Sequence, residues 1–392
     1  MTPIEGTVDK EFDRVKEVFD DNFEQGDEVG ASFCVYHDHE KVVDLWGGYK
    51  DSSLKEKWVQ DTLVPVFSTT KTVGAACLAM LHSRGHFDYT DKVSDHWPEF
   101  GQNGKEDITI RELLQHRTGL AAIDEKLTPE IIADHERLDK ILAEQEPNWK
   151  PGEYQGYHVW TIGWYMSALL SRIDPDGRRL GQFIEEEINQ RIDGEFYLGI
   201  DDDFDLERVA TLIPFSRFKM FFSMPFKFII EFFKPWSLTY KAMLNPSFAS
   251  SHTNFNKREI LELEMGSGNG VTNARSLAEI MDGLIDEDSP LQLDDLTLKE
   301  IERYPDKPKG GFEDKVFKQE AFRFHCGFMK PSEEHHFSDE EEAFGGFGAG
   351  GSFVVVEPKK KLTMAYTMNK MRPGMKDDER EIALREAVYG CL

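Results

Sequence analysis

Val64-Pro65-Val66-Phe67-Ser68-Thr69-Thr70-Lys71-Thr72-Val73-Gly74-Ala75-Ala76 reads as a short turn around Pro65 that feeds an amphipathic helix. The helix is predicted to run to about Ser83 and to stop before Gly85. Ser68 then sits at the helix N-terminus with Lys71 three residues on, on the same face, where hydroxyl and amine can meet. A serine hydroxyl is a weak nucleophile at neutral pH until a base takes its proton. An amine can be that base when burial or a nearby positive charge lowers its pKa. The helix N-terminus adds free N–H groups and a partial positive charge that favour an anionic oxygen. Ser-x-x-Lys also occurs at Ser52/Lys55 and Ser216/Lys219, about the one or two chance matches that ordinary composition gives. Only at Ser68 does an apolar turn precede the tetrad and a long apolar helical run follow it.

Composition bounds the rest. A chain of 392 residues can bury a large core and hold two lobes. Its 46 basic and 73 acidic residues leave a formal charge of −27, which argues against nucleic-acid binding. Cys34, Cys77, Cys326 and Cys391 are widely spaced without a Cys-x-x-Cys pair, the usage of reduced, mostly buried thiols. The start of the sequence lacks a basic segment followed by an apolar one, and no run of 18 uncharged apolar residues occurs. The expected location is therefore cytoplasmic.

Outward from the Ser68 stretch, residues 8–25 carry a helical pattern at Phe12, Val15, Val18, Phe19 and Phe23. Gly30 to Tyr36 and Lys41 to Tyr49 read as two strands joined by His37-Asp38-His39-Glu40. Thr109 and Glu112 form a capping box, and Gly119 marks a turn after His116. Further helices are predicted over residues 128–145, 159–172 and 274–285. Phe344-Gly345-Gly346-Phe347-Gly348-Ala349-Gly350-Gly351-Ser352 is a glycine-rich approach to a hairpin over 353–368, closed by a helix from Glu379 to Val388. His335-His336 lies in an acidic stretch without metal-ligand spacing and reads as a solvated loop. Residues 215–236 are rich in phenylalanine and locally basic. A packed, lid-like insert is the favoured reading over a segment that touches membrane or lipid, because Pro225 interrupts any single helix.

Together these motifs resemble the serine β-lactamase/penicillin-binding-protein superfamily, in its class C-like branch with the family VIII carboxylesterases. Phe67-Ser68-Thr69-Thr70-Lys71 looks like the first motif and Ile108 to Leu120 like the helix and turn after it. Pro151-Gly152 with Tyr157-His158 looks like the second motif, and Gly266 to Arg275 matches a further family segment. The resemblance implies an α/β (α+β), two-lobed fold. Residues 1–66 and 312–392 would form an antiparallel sheet lobe with the terminal helices. Residues 67–311 would form a mainly helical lobe carrying the nucleophile and the insert 215–236.

It further implies an acyl-enzyme mechanism with Ser68 as nucleophile and Lys71/Tyr157 sharing the proton as general base and acid. A Tyr157 phenolate would need a pKa depressed by an adjacent Lys71 ammonium. Ser68 and Ala349 would supply the oxyanion-hole N–H groups, and Gly346, Phe347, Gly348 and His158 would line the substrate site. Neither metal nor cofactor is required. Tyr157-His158-Val159 stands where β-lactamases of this branch carry Tyr-x-Asn, and Gly346-Phe347-Gly348 stands where Lys-Thr-Gly is usual. With no cationic or hydroxyl side chain there to hold a β-lactam carboxylate, carboxylic esters are the expected substrates. The rivals are a catalytically weak or inactive scaffold on the same fold, and a β-lactamase, peptidase or acyltransferase of the same superfamily. The expected partner is a small ester or amide.

Overall fold

The computed structural model describes residues 2–215, 224–373 and 378–392. Its frame is an eight-stranded antiparallel sheet in the order β1-β3-β2-β10-β9-β8-β7-β6. The strands are β1 (Ile4–Val8), β2 (Gly30–His37), β3 (Glu40–Gly48), β6 (Arg323–His325), β7 (Phe328–Lys330), β8 (Phe344–Phe347), β9 (Phe353–Glu357) and β10 (Leu362–Met368). The β2–β3 hairpin turns on Asp38 and His39, both with positive φ, the two-residue turn whose twist matches antiparallel strands. The sheet therefore joins the two ends of the chain at its centre, where β2 pairs with β10.

Two expected elements differ. Pro65 is not in a turn: β4 (Val64–Pro65) pairs with β5 (Val271–Thr272), and the Val66 N–H donates to the Gly270 carbonyl at 2.9 Å. Proline has no N–H to donate, so it is tolerated where its partner's ladder is this short. The helix expected over 128–145 is two helices, Pro129–Ala133 and His135–Glu144. They part at Asp134, whose side chain accepts the Arg137 N–H and starts the second.

Helices α1 (Asp13–Glu24) and α5 (Glu379–Tyr389) pack on each other and α1 also meets β1 and β3. The predicted apolar stripe Phe12, Val15, Val18, Phe19 and Phe23 is buried. Helix α2 (Thr70–Ser83) lies against β7 and β8, and α4 (Ala274–Asp282) against β2, β9 and β10. Two helices from the middle of the chain thus lie directly on the sheet. On its other side α2 meets α3 (Thr161–Ile173) through Gly74, where an added Cβ would come within 3.0 Å of Met166. Most residues between β5 and β3 are helical or in loops. Cys34, Cys77 and Cys326 are buried free thiols and Cys391 is half-buried. Among the described residues no helix is long and apolar enough to cross a membrane.

A buried polar knot ties α5 to the loop after β8. The Arg380 guanidinium, almost fully buried, pairs with Glu28 at 3.0 Å and Asp378 at 2.6 Å. It also donates to the carbonyls of Gly350 (2.9 Å) and Lys370 (2.8 Å). Arg380→Met is expected to destabilise the protein by about 3–5 kcal/mol, because it leaves buried carboxylates uncompensated. Urea denaturation measures this, and Glu28→Gln added to Arg380→Met should recover part of the loss. A change below about 1 kcal/mol would contradict the assignment.

Candidate active site

Ser68 lies on a single 3₁₀ turn, Phe67–Thr69, that runs directly into α2. Phe67 adopts φ +46°, a left-handed conformation that costs a bulky residue about 1–3 kcal/mol. Edge-on contacts of its ring with His252 (5.2 Å) and Phe255 (5.1 Å) hold it there. The turn therefore lifts Ser68 into a half-exposed position while its neighbours are buried.

Lys71, the second residue of α2, is 4% exposed. Its Nζ lies 3.0 Å from Ser68 Oγ and donates to the Ser267 carbonyl at 2.7 Å. Burial alone holds its pKa well below the ordinary lysine value, which favours the uncharged amine. Nζ also stands 5.0 Å above the centre of the Tyr157 ring. Tyr157 is buried among Phe317 (5.7 Å), Phe322 (6.4 Å), Phe324 (5.6 Å) and His116 (5.1 Å). Burial raises the pKa of its phenol, against an opposing hydrogen bond with the Ser68 side chain. Ser68, Lys71 and Tyr157 therefore meet. The expected depressed phenol is corrected in direction: burial among these aromatic rings disfavours a phenolate and raises the phenol instead.

The segment after β8 is clamped onto the nucleophile turn. Ser352 Oγ donates to the Val66 carbonyl at 2.8 Å and lies 3.0 Å from Thr69 Oγ1. A Cβ on Gly348 would come within 2.3 Å of the Val66 carbonyl oxygen, and one on Gly346 within 1.7 Å of Thr72 Oγ1. Only glycine lets the strand approach α2 this closely. Ala349 follows at once, half-exposed like Ser68. Neither the Ser68 nor the Ala349 N–H donates a hydrogen bond to the protein among the described residues.

Phe347 departs from its expected place at the substrate site. Side chains alternate along a strand, so with Gly346 toward α2, Phe347 points through the sheet. Its ring packs on His335 (4.3 Å), Phe337 (5.2 Å) and Phe353 (5.6 Å). His335, expected in a solvated loop, is buried by the same contacts, while His336 is exposed. His158 is also corrected, because it is completely buried and not open to substrate. Its Nδ1 lies 2.7 Å from the Gly156 carbonyl, and its Nε2 accepts from Leu120 N–H (3.2 Å) and faces Thr118 Oγ1 (3.1 Å). Burial lowers its pKa to about 4, so it is a neutral brace between residues 116–120 and Tyr157.

Three residues were not anticipated in these positions. Ser267 aims its carbonyl at Lys71, and its own hydroxyl is fixed by the Trp160 carbonyl (2.7 Å) and the Gly163 N–H (2.8 Å). Asp314 is buried and accepts the N–H groups of Tyr157 (2.8 Å), Val316 (2.7 Å) and Phe317 (2.7 Å). His116, at φ +58°, accepts the His158 N–H at 3.1 Å and packs beside Tyr157.

A mixed α/β chain whose antiparallel sheet is flanked by a helix that starts at a serine and a lysine, with a tyrosine brought beside them from a loop, has the β-lactamase fold. The chain belongs to the Beta-lactamase family, whose profile matches residues 16–389. It is 32% identical over 209 residues, 53% of this chain and 48% of the relative, to "Esterase/beta-lactamase LipL" of Mycobacterium tuberculosis. It is 24% identical over 161 residues, 41% of each chain, to "Beta-lactamase" of Escherichia coli. These matches span less than half the length of either relative. Among solved structures it resembles a family VIII carboxylesterase, with 30% identity, TM-score 0.85 and full coverage of both chains. It is also similar to a penicillin-binding protein homolog from Caulobacter crescentus, at 30% identity, TM-score 0.84 and full coverage of both. EstA from Arthrobacter nitroguajacolicus Rue61a matches at 28% identity and TM-score 0.83, over 98% of this chain and 99% of its own.

Proposed function

We propose that the protein is a serine hydrolase that cleaves carboxylic esters through an acyl-enzyme on Ser68. The observation that carries this reading is the buried Lys71 amine 3.0 Å from Ser68 Oγ. Lys71 takes the hydroxyl proton as Ser68 Oγ bonds to the ester carbonyl carbon, and the N–H groups of Ser68 and Ala349 receive the developing oxyanion. As the carbon–oxygen bond to the alcohol breaks, the leaving oxygen takes this proton back from the Lys71 ammonium, directly or through the Tyr157 hydroxyl. On the second route the hydroxyl gives its own proton and receives the one on Lys71, so no phenolate builds up. Water then repeats the sequence on the acyl-enzyme and returns Ser68. Lys71 is then the base, and Tyr157 orients the pair and relays the proton. Gly346 and Phe347 offer no charged group to hold an anionic substrate, which favours neutral esters. Resemblance to a carboxylesterase and to EstA supports the same substrate class.

The test is turnover of p-nitrophenyl butyrate together with labelling by an alkyl phosphonate. The expected results are a burst of p-nitrophenol and a single adduct located on Ser68 by mass spectrometry. Labelling elsewhere, or none with no turnover, would leave the scaffold reading. Nitrocefin is expected to be turned over far more slowly than the ester, and the reverse order would assign the site to β-lactams.

A further inference from the structure

The segment expected to be a packed insert presents two different faces. Residues 216–223 lie outside the described residues. Pro225 bounds the helix that follows, as the N-cap of Phe226–Phe232. Phe228 points inward and stacks on Phe317 at 5.7 Å, which in turn touches the Tyr157 ring. Phe232 stacks on Phe228 at 5.8 Å. Phe226, Ile230 and Phe233, spaced four and three residues apart on the opposite side, are 76%, 40% and 66% exposed, and Trp236 is 77% exposed. Four of the nine large hydrophobic side chains exposed among the described residues thus fall within eleven residues. Soluble surfaces rarely group them this way.

Charge indicates what covers this stripe. Within 226–236 the charged side chains are Lys227 and Lys234 against the single acid Glu231, in a chain whose net charge is −27. Lys227 is exposed beside the stripe, and Lys234 is paired with Glu231 at 2.7 Å. An aromatic stripe flanked by lysine, with tryptophan at its end, is the chemistry of a shallow interfacial helix on an anionic bilayer. A two-fold contact between copies through this face would set the same lysines against one another. The net negative charge of the chain disfavours contact with anionic lipid in general, so an apolar stripe with a lysine beside it is the kind of face that would dock.

We infer that the face formed by Phe226, Ile230, Phe233 and Trp236 docks on an anionic phospholipid surface, with Lys227 at the headgroups. The inner side of the same helix packs on the aromatic wall of Tyr157, so docking sets the rim of the Ser68 site at the bilayer interface.

Flotation of the full chain with vesicles of equal parts phosphatidylcholine and phosphatidylglycerol tests this. Binding is expected, weaker on pure phosphatidylcholine and reduced by high salt. Trp236→Ser with Phe226→Ser should lower partitioning about tenfold or more, and Lys227→Glu about fivefold or more. Turnover of soluble p-nitrophenyl butyrate should be unchanged in these variants, which reports intact folding. Binding is read without activity, so its failure is distinct from failure of the esterase reading. No flotation with either vesicle, or flotation equal in wild type and variants, would overturn the inference. So would a dimer in light scattering that the same substitutions dissolve, since a second copy would then cover the face.

Discussion

Ser68→Ala is expected to lower kcat for p-nitrophenyl butyrate by about 10⁴-fold or more and to abolish the burst, since no other group can carry the acyl chain. The fold should survive. Ser68 is half-exposed, and the clamp of Ser352 and Thr69 on Val66 does not use its hydroxyl. The comparison is made by single-turnover kinetics beside a thermal melt. Equal rates in the two proteins would show that the measured hydrolysis does not pass through this serine. Residual turnover should come from an oxyanion pocket acting on water alone, as it does when a nucleophile is removed from other acyl-transfer sites.

Lys71→Met is expected to lower kcat/KM by about 10³–10⁴-fold, the scale of removing a general base that also activates the nucleophile. It has a second, opposite signature in stability. A buried lysine whose folded pKa lies well below its unfolded value leaves the native state with fewer bound protons than the unfolded chain. Stability then rises with pH through the window between those two values, and neutral pH carries a penalty. Methionine removes that penalty, so the variant's melting temperature should depend less on pH than the wild type's. The cost is loss of the Lys71 hydrogen bond to the Ser267 carbonyl, about 1 kcal/mol. In wild type, kcat/KM should rise with pH as Lys71 gives up its proton, with the rise centred well below the ordinary lysine pKa. A profile flat from acid to neutral pH that steepens only near that ordinary value would mean a solvated, charged Lys71.

The pairing of Ser68 with Lys71 was legible because the two are close in the chain and their spacing is fixed by one helical turn. The terminal helix and central hairpin were legible for the same reason, since the stripe Val15, Val18, Phe19 and Phe23 and the two largely apolar runs about the polar turn His37–Glu40 are local patterns. The gaps lie where long-range packing decides. β1 is a five-residue edge strand with three exposed residues and carries no alternating apolar signal. β6 and β7 have three residues each, and only the positive-φ pair Cys326-Gly327 between them marks a hairpin. Phe347 was assigned to the wrong side because motif alignment gives a position along the strand but not the face of each side chain. Asp314 looked like one more acid in a polar stretch. Its burial beneath Tyr157 depends on contacts some 150 residues away in the chain. Ser267 acts through a backbone carbonyl, which leaves no side-chain signature.

The pairing of β2 with β10 has a consequence for how the molecule is made. Ser32 and Thr367, hydrogen-bonded at 2.8 Å in the middle of the sheet, are 335 residues apart in the chain. At about 5–20 residues per second, a ribosome needs roughly twenty seconds to a minute to deliver β10 after β2 has emerged. Throughout that interval the apolar strand Gly30–His37 has one open edge, and the helical stretch that follows it must fold without the sheet that supports α2. Such an edge invites pairing with other chains. Production of this protein should therefore be limited by aggregation during synthesis, and slower translation or chaperones that shield the early hairpin should raise the yield of folded enzyme.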